Sequence, residues 1–489
     1  MKRRFPSLLA TALAGLACFG PAQAVETYPG CATPPARSPT AHVFYVDPQR
    51  GDKANDGSKQ HPWRTLEEVV DPRNRLLSTK SYVGGALTQV NPNGPIKPGD
   101  TIYLLGGSHG AILVRQAFND EFISVLAAPG QKPLLASLQV AESSHWLFRG
   151  LAIRSPIPAG QPTAALVDIR SGGWPAPTDN VVFVDNEVAT VENSDAWSGP
   201  DWVHTARHFG LVAEGSCVTL SANHFYNLRN AMLIGGEKQL IEGNLIERFG
   251  NDGIDMHASN ILIRRNIIRD GRHTDFEELH PDGIQGWSVD DAVNRNVVLD
   301  SNTLIKTGDR VRSMMQGISL FSGRWDGLRV INNVVITNAW HGVALFGVKN
   351  ALVANNTVLP SDTAPTWIVV QEAKDNRPSV DVVVRNNIAG QILVTAQGAT
   401  VDHNIATSLI TLNIDGRKVS TKSGAIDTNR VSPSLLSTFV RFDPILGEFD
   451  LRLGPQSPAI GAGAAASAPQ KDINGKARRS PVDIGAYVH

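Results

Sequence analysis

Between Asp185 and Ile405 one short phrase recurs nine times: an Asn, one further residue, then an apolar one. The instances begin at Asn186, Asn223, Asn244, Asn266, Asn302, Asn333, Asn356, Asn387 and Asn404. Three of the intervals are 21, 22 and 23 residues, and the others run from 17 to 37. Most instances follow a short β-branched or Leu-rich run such as Ile261-Leu-Ile or Val382-Val-Val. A period near 22 leaves room for short strands and turns but not for helices, which is the signature of a solenoid. No single coil has enough apolar surface to stand alone, whereas stacked coils bury a continuous column of Ile, Val and Leu. Asn side chains repeated at one corner can bridge one another and the turn backbone. Longer intervals mark inserted loops, expected at 155–179, 190–207, 271–281, 306–315 and 360–379.

A second phrase follows each short turn: Phe209-Gly-Leu-Val-Ala, Asn230-Ala-Met-Leu-Ile, Asp252-Gly-Ile-Asp-Met, Asp282-Gly-Ile-Gln-Gly, Gln316-Gly-Ile-Ser-Leu and His341-Gly-Val-Ala-Leu. Its alternation has period two. The third and fifth residues therefore face the core, and the first, fourth and sixth face out.

Together the two phrases resemble the right-handed parallel β-helix of secreted bacterial polysaccharide lyases, hydrolases and epimerases. The segments Phe44-Tyr-Val-Asp, Asn55-Asp-Gly-Ser, Pro62-Trp-Arg-Thr-Leu and Pro98-Gly-Asp-Thr-Ile-Tyr-Leu resemble its opening. Leu451-Arg-Leu, Ser457-Pro-Ala-Ile, Asp472-Ile-Asn-Gly-Lys-Ala-Arg and Asp483-Ile-Gly-Ala-Tyr resemble its close. The resemblance covers most of residues 42–487. It implies an all-β chain, a single right-handed parallel β-helix solenoid with an N-terminal cap and a C-terminal closing segment. One fold hosts many chemistries, so the site needs its own argument.

The chain divides into five segments on this reading. Residues 1–24 combine Lys2-Arg-Arg, an apolar stretch from Leu8 to Phe19 and Ala22-Gln-Ala24, the layout of an export signal cleaved after Ala24. That apolar stretch is too short for a stable membrane span, and no other stretch offers one. Residues 25–41 are a Pro-rich linker or loose arm. Residues 42–110 hold the cap and the first coil, with Thr65 as N-cap of a short helix. Residues 111–430 are the coils, and 431–489 pack down the side or close the far end. Export implies a periplasmic or extracellular place, and a monomer is expected. Net charge is −1, and −4 once the three basic residues of the signal are removed, which gives no general basic surface for nucleic acid. Cys31 and Cys217 either form a disulfide, which an exported compartment permits, or are unrelated thiols with Cys217 in a strand.

Equivalent positions on neighbouring coils lie roughly 4.8 Å apart. Read across the aligned phrases, the ionisable groups concentrate on two coils, at Asp252-Gly-Ile-Asp-Met-His257 and His280-Pro-Asp-Gly-Ile-Gln285. Asp before Gly is a common turn former, so Asp252 and Asp282 have a structural reading beside the functional one. Asp255 and Gln285 sit in mid-strand, where Asp is disfavoured. Inserted loops add Arg310 and Arg312, which are either functional or a solvated face. Trp287, Phe321, Trp325 and Phe346 supply aromatic faces on which sugars stack, and Arg324 a guanidinium that reads carboxylates. His341 starts a turn on an apolar coil.

Three functions fit. The first is β-elimination from an acidic polysaccharide. Here Asp255, His257, His280, Asp282, Arg310 and Arg312 are the catalytic candidates, and Gln285, Trp287, Phe321, Arg324 and His341 bind substrate. The resemblance implies a Ca²⁺ in many such lyases, and Asp252, Asp255 and Asp282 could ligate one. Uronate epimerases share the proton abstraction. The second is glycoside hydrolysis by two carboxyl groups. Asn251-Asp-Gly-Ile-Asp255 and His341-Gly-Val resemble pieces of the polygalacturonase motifs, while the paired Asp-Asp and the Arg-Ile-Lys elements do not appear in order. The third is a non-catalytic glycan-binding surface protein.

Overall fold

The computed structural model describes residues 25–35, 41–155, 165–171, 177–272, 281–306, 313–362, 365–432, 438–443 and 448–489. They fall into two compact units, one of residues 25–297 with 313–315, the other of residues 298–306 with 316–489. Each unit is a stack of parallel β-coils.

One coil of the first unit shows how the repeat folds. The strand Gln239–Glu242 is followed by a two-residue turn, the strand Leu245–Phe249, a corner, and the strand Ile254–Met256. The next coil repeats this as Ile261–Arg264, Ile267–Arg269 and Asp282–Gly286, each in parallel register with its counterpart. Ile241, Ile246, Ile254, Met256, Ile261, Ile263, Ile268 and Ile284 all point inward and are buried. Successive residues alternate faces, so this column of branched side chains is the core.

The turn after the first strand explains the Asn phrase. Asp185, Ala222, Gly243 and Arg265 each adopt φ of 54–64° immediately before Asn186, Asn223, Asn244 and Asn266. That left-handed kink turns the Asn side chain into the stack, where it is fully buried. The Oδ1 of Asn223 accepts from both the backbone amide and the Nδ2 of Asn186, at 3.0 and 3.1 Å. Asn244 does the same for Asn223, and Asn266 for Asn244. Each remaining Nδ2 hydrogen donates to a strand carbonyl such as Leu220 or Ile241. Every buried polar atom of the corner is thereby satisfied by its neighbours.

The second unit carries its own run, from Asn302 through Asn333, Asn356, Asn387 and Asn404. It ends on Asn429, whose Oδ1 accepts from Asn404. Asn429-Arg-Val is a tenth instance of the phrase, after the antiparallel excursion Arg417–Thr421.

A coil forms before residue 111, where the first coil is expected: Val43–Val46 pairs in parallel with Thr101–Leu104, and that strand with Phe118–Ala127. The described part of the arm is not loose. Val25 and Ala32 pack on Phe122, Leu147, Val182 and Val184, and a Cys31–Cys217 disulfide fastens it. Cys217 lies in a turn at φ 53°, not in a strand. The cap helix Leu66–Val70 forms as expected, with the Glu68 amide donating to the Thr65 hydroxyl. In the second unit the closing segment runs along the side. Phe439, Phe442, Leu451, Leu453 and Ile484 cover Val334, Ile336, Leu359, Ile388 and Ile405. Among the described residues no helix is long and apolar enough to cross a membrane.

Candidate active site

The strands Val167–Arg170, Phe209–Ala213, Asn230–Ile234, Ile254–Met256 and Asp282–Gly286 lie side by side on one face of the first unit. Their register fixes two outward columns. Asp168, Val212, Leu233, Asp255 and Gln285 are direct partners along the first. Two residues further along, Arg170, Glu214, Gly235, His257 and Trp287 form the second. Because Ile254 and Met256 are wholly buried in the core, Asp255 between them faces outward, as the sequence alignment predicts.

The surroundings of Asp255 are not those of a surface carboxylate. Asp255 and Asp252 are each only 3% exposed, and Asp282 not at all. Asp252 and Asp282 start the phrase and continue a column that begins at Asn230. The Oδ1 of Asn230 accepts from the Asp252 amide at 3.0 Å, and the Oδ1 of Asp252 accepts from the Asp282 amide at 2.9 Å. Asn251 donates from Nδ2 to Asn230 and to Asp252. Gln285 donates from Nε2 to the other Asp282 oxygen at 3.0 Å. Asp252 thus has a structural role beside any chemical one: its carboxyl holds a backbone amide, in the manner of an Asn, whereas the Asp282 carboxyl accepts from the Gln285 side chain.

The electrostatics follow from this burial. Burial raises the Asp252 carboxyl from 3.8 to about 7, against the opposing pull of the Asp282 amide, Arg229 and Asn251. Burial, and then the charges of Asp252 and Asp282, hold Asp255 well above the usual carboxylate range. Three acids share a dry space in which they cannot all ionise. Asp255 Oδ1 is buried with no hydrogen-bond partner among the described residues. An orphaned buried acceptor is costly and calls for an explanation.

His257 lies beside this cluster, half-buried, its ring centroid 5.5 Å from that of Trp287. The structure therefore brings together Asp252, Asp255, Asp282, His257, Gln285 and Trp287. His280, Arg310 and Arg312 lie outside the described residues.

Phe321, Arg324 and His341 belong to the second unit. Phe321 and Phe346 pack against His341, and the Trp367 indole N–H donates to His341 Nδ1 at 3.0 Å. Burial lowers the His341 pKa, and this bond leaves the proton on Nε2, so His341 is a neutral, structurally committed ring. Arg324 is exposed, whereas Trp325 is buried and is no part of an aromatic surface.

Two groups escape the sequence reading. Arg229 precedes Asn230 as Asn251 precedes Asp252, so the alignment could have found it one column earlier. Its charge acts on Asp252, and its Nε is buried without a hydrogen-bond partner among the described residues. Asp168 occupies the Asp255 column near its start, raised by burial against the pull of Arg170, which pairs with it at 2.7 Å.

The Asp trio does not fit a hard cation. Ca²⁺ takes six to eight oxygen ligands in an open, hydrated geometry. Here one oxygen of Asp252 holds an amide, the other faces the Asn251 amide group, and one oxygen of Asp282 is taken by Gln285. Among the described residues no three His, Cys, Asp or Glu side chains are arranged to hold a metal ion.

The family described as right handed beta helix region matches residues 167–308. The fold is a right-handed parallel β-helix. Solved structures similar to this chain include pectate lyase Pel9A, at 14% identity and TM-score 0.41, covering 92% of this chain and 97% of that one. XylC in complex with xylose follows at 9% identity and TM-score 0.45, covering 91% and 98%. The A-module of Azotobacter vinelandii mannuronan C-5 epimerase AlgE4 stands at 12% identity and TM-score 0.42, covering 68% and 86%. No curated protein matches the chain in sequence. None of these likenesses bears on which reaction this β-helix performs.

Proposed function

We propose that this β-helix is an exported carbohydrate-active enzyme that cleaves an acidic polysaccharide by β-elimination. The observation that carries the reading is the buried Asp252–Asp255–Asp282 cluster, in which burial raises the Asp252 and Asp255 carboxyls so that they hold protons near neutrality, beside the Arg229 guanidinium. Elimination needs the uronate carboxylate neutralised so that the C5 proton becomes acidic. It also needs a base for that proton and a proton for the leaving oxygen. A carboxylic acid kept neutral by burial can donate a hydrogen bond to the developing enolate, and a guanidinium can pair with the carboxylate. Asp255 supplies the first, its orphaned oxygen accounted for by a bound substrate. Arg229 supplies the second. His257 is placed to take the C5 proton and to pass it to the leaving oxygen as the glycosidic bond breaks, and Trp287 gives a face for the sugar ring. The Cys31–Cys217 disulfide supports a periplasmic or extracellular location, since such bonds persist in oxidising compartments.

One observation favours a second reading, glycoside hydrolysis. Several carboxyls buried side by side, which cannot all ionise, supply the acid and base that this reaction uses. Product analysis on alginate, pectate and glucuronan separates the two. Elimination gives a conjugated double bond that absorbs in the ultraviolet, and hydrolysis gives reducing ends without it. Neither signal on any acidic or neutral glycan would overturn both.

A further inference from the structure

Gly235 sits in the outward column between Glu214 and His257, on the coil before Asp255, with its amide donating to Ala213 at 2.8 Å. Its φ lies outside the left-handed region, so the backbone does not require a glycine there. The space does. A methyl group at this position would stand 2.5 Å from Cε1 and 2.8 Å from Nε2 of His257, and 3.0 Å from Cγ of Glu214. The imidazole thus occupies the place of the missing side chain. It reaches back from its own coil across the neighbouring one, with Trp287 against it on the following coil and the Glu214 side chain bordering the same space. Any residue with a Cβ would push the ring out of this seat.

We propose that Gly235 is a positioning residue, whose absent side chain seats the His257 imidazole flat across the coil between Trp287 and Glu214. The inference rests on His257 being the base of the reaction proposed above. The seat sets where Nε2 lies, and a displacement of about 1 Å is enough to cost a positioned group much of its catalytic effect.

The substitution Gly235→Ala tests this cleanly. It adds one methyl, changes no ionisable group, and collides with the far end of a side chain rather than with backbone. Two readouts apply. The first needs no substrate: the emission of Trp287, isolated from the other tryptophans by difference against Trp287→Phe, in wild type, Gly235→Ala and His257→Ala. Loss of the ring contact should change it in Gly235→Ala in the same direction as in His257→Ala. The second is turnover on whichever acidic polysaccharide is cleaved. Gly235→Ala should lower kcat at least tenfold with KM little changed, and Gly235→Ala/His257→Ala should be no slower than His257→Ala alone. An unchanged Trp287 emission in Gly235→Ala, or effects of the two substitutions that multiply, would overturn the positioning role. Wild-type turnover in His257→Ala would instead sink the functional reading on which it rests.

Discussion

Two columns in the first unit solve the same physical problem with different chemistry. At the corner of Asn186, Asn223, Asn244 and Asn266, a side-chain oxygen accepts the backbone amide of the preceding coil, and the side-chain NH₂ is spent on the Asn of the coil that follows and on a carbonyl. In the column of Asn230, Asp252 and Asp282 a side-chain oxygen again accepts the neighbouring amide, here from the coil that follows. Asn230 demonstrates that an amide suffices for this bond. Yet two coils in succession carry a carboxyl there, and a third carboxyl, Asp255, is buried alongside with an oxygen unpartnered among the described residues. An amide ladder is neutral at every pH. A buried carboxyl ladder costs desolvation or a captured proton. The difference teaches where structure alone accounts for the residues and where it does not: the Asn corner is explained by stacking, and stacking does not account for the carboxyls of the Asp column.

The sharpest way to break this comparison is to convert one column into the other. Asp252→Asn keeps the acceptor for the Asp282 amide and removes the proton. Turnover should fall by about a hundredfold or more, the usual range for one acid–base group, while thermal unfolding is unchanged or shifts upward. The converse experiment is Asn244→Ala. It strips the acceptor from the amide and Nδ2 of Asn223 and should destabilise the first unit by about 1–3 kcal/mol, read as a denaturant midpoint, with activity per folded molecule preserved. Equal behaviour of the two variants in both assays would erase the distinction.

The pH dependence of stability sharpens it further. Asp252 titrates near 7 when folded against 3.8 ordinarily, and Asp255 is raised as well, so the folded state binds more protons than the unfolded one across this interval. Stability from Asp252 is fully present below about pH 4 and is lost as pH rises through 7, at most about 1.4 kcal/mol per pH unit, and Asp255 contributes with the same sign. Denaturant midpoints at pH 5, 6, 7 and 8 should therefore decline. In Asp252→Asn the decline should be shallower, and in Asn244→Ala it should run parallel to wild type. The smallest effect concerns Arg229. Arg229→Gln removes a charge that opposes the raised Asp252 ionisation, so the midpoint of Asp252 titration, followed by carbon NMR of the carboxyl, should move to higher pH.

How much of this was legible in the sequence varies by region. The Asn corner was readable because each coil needs the same residue at the same place, and stacking turns that need into a period. Asn429 was missed because the Gly424-Ala-Ile-Asp-Thr stretch before it lacks the β-branched or Leu-rich run that precedes most of the others. The left-handed residues ahead of each Asn were not legible at all: Ala222 and Arg265 adopt that conformation with no favourable propensity, under the demand of the stack. At the site, period-two alternation gave the outward direction of Asp255 and His257 correctly. Burial was not readable, since cover over an outward face comes from parts of the chain that the period does not describe. Gly235 offered no signal as one glycine among 44, because its meaning lies in a contact with the next coil.

The most direct test of the claim that the Asp column is kept for chemistry is Asp255 itself. Its register neighbours are Leu233 on the preceding coil, which is apolar, and Gln285 on the following coil, which is uncharged, so a neutral residue suits the position structurally. Asp255→Asn should fold with a melting temperature equal to or above that of wild type, and should lose about a hundredfold or more in the rate of ultraviolet-absorbing product from an acidic polysaccharide. A variant that is less stable than wild type and turns over at the wild-type rate would contradict the account, for it would make Asp255 a structural residue and leave the catalytic site elsewhere.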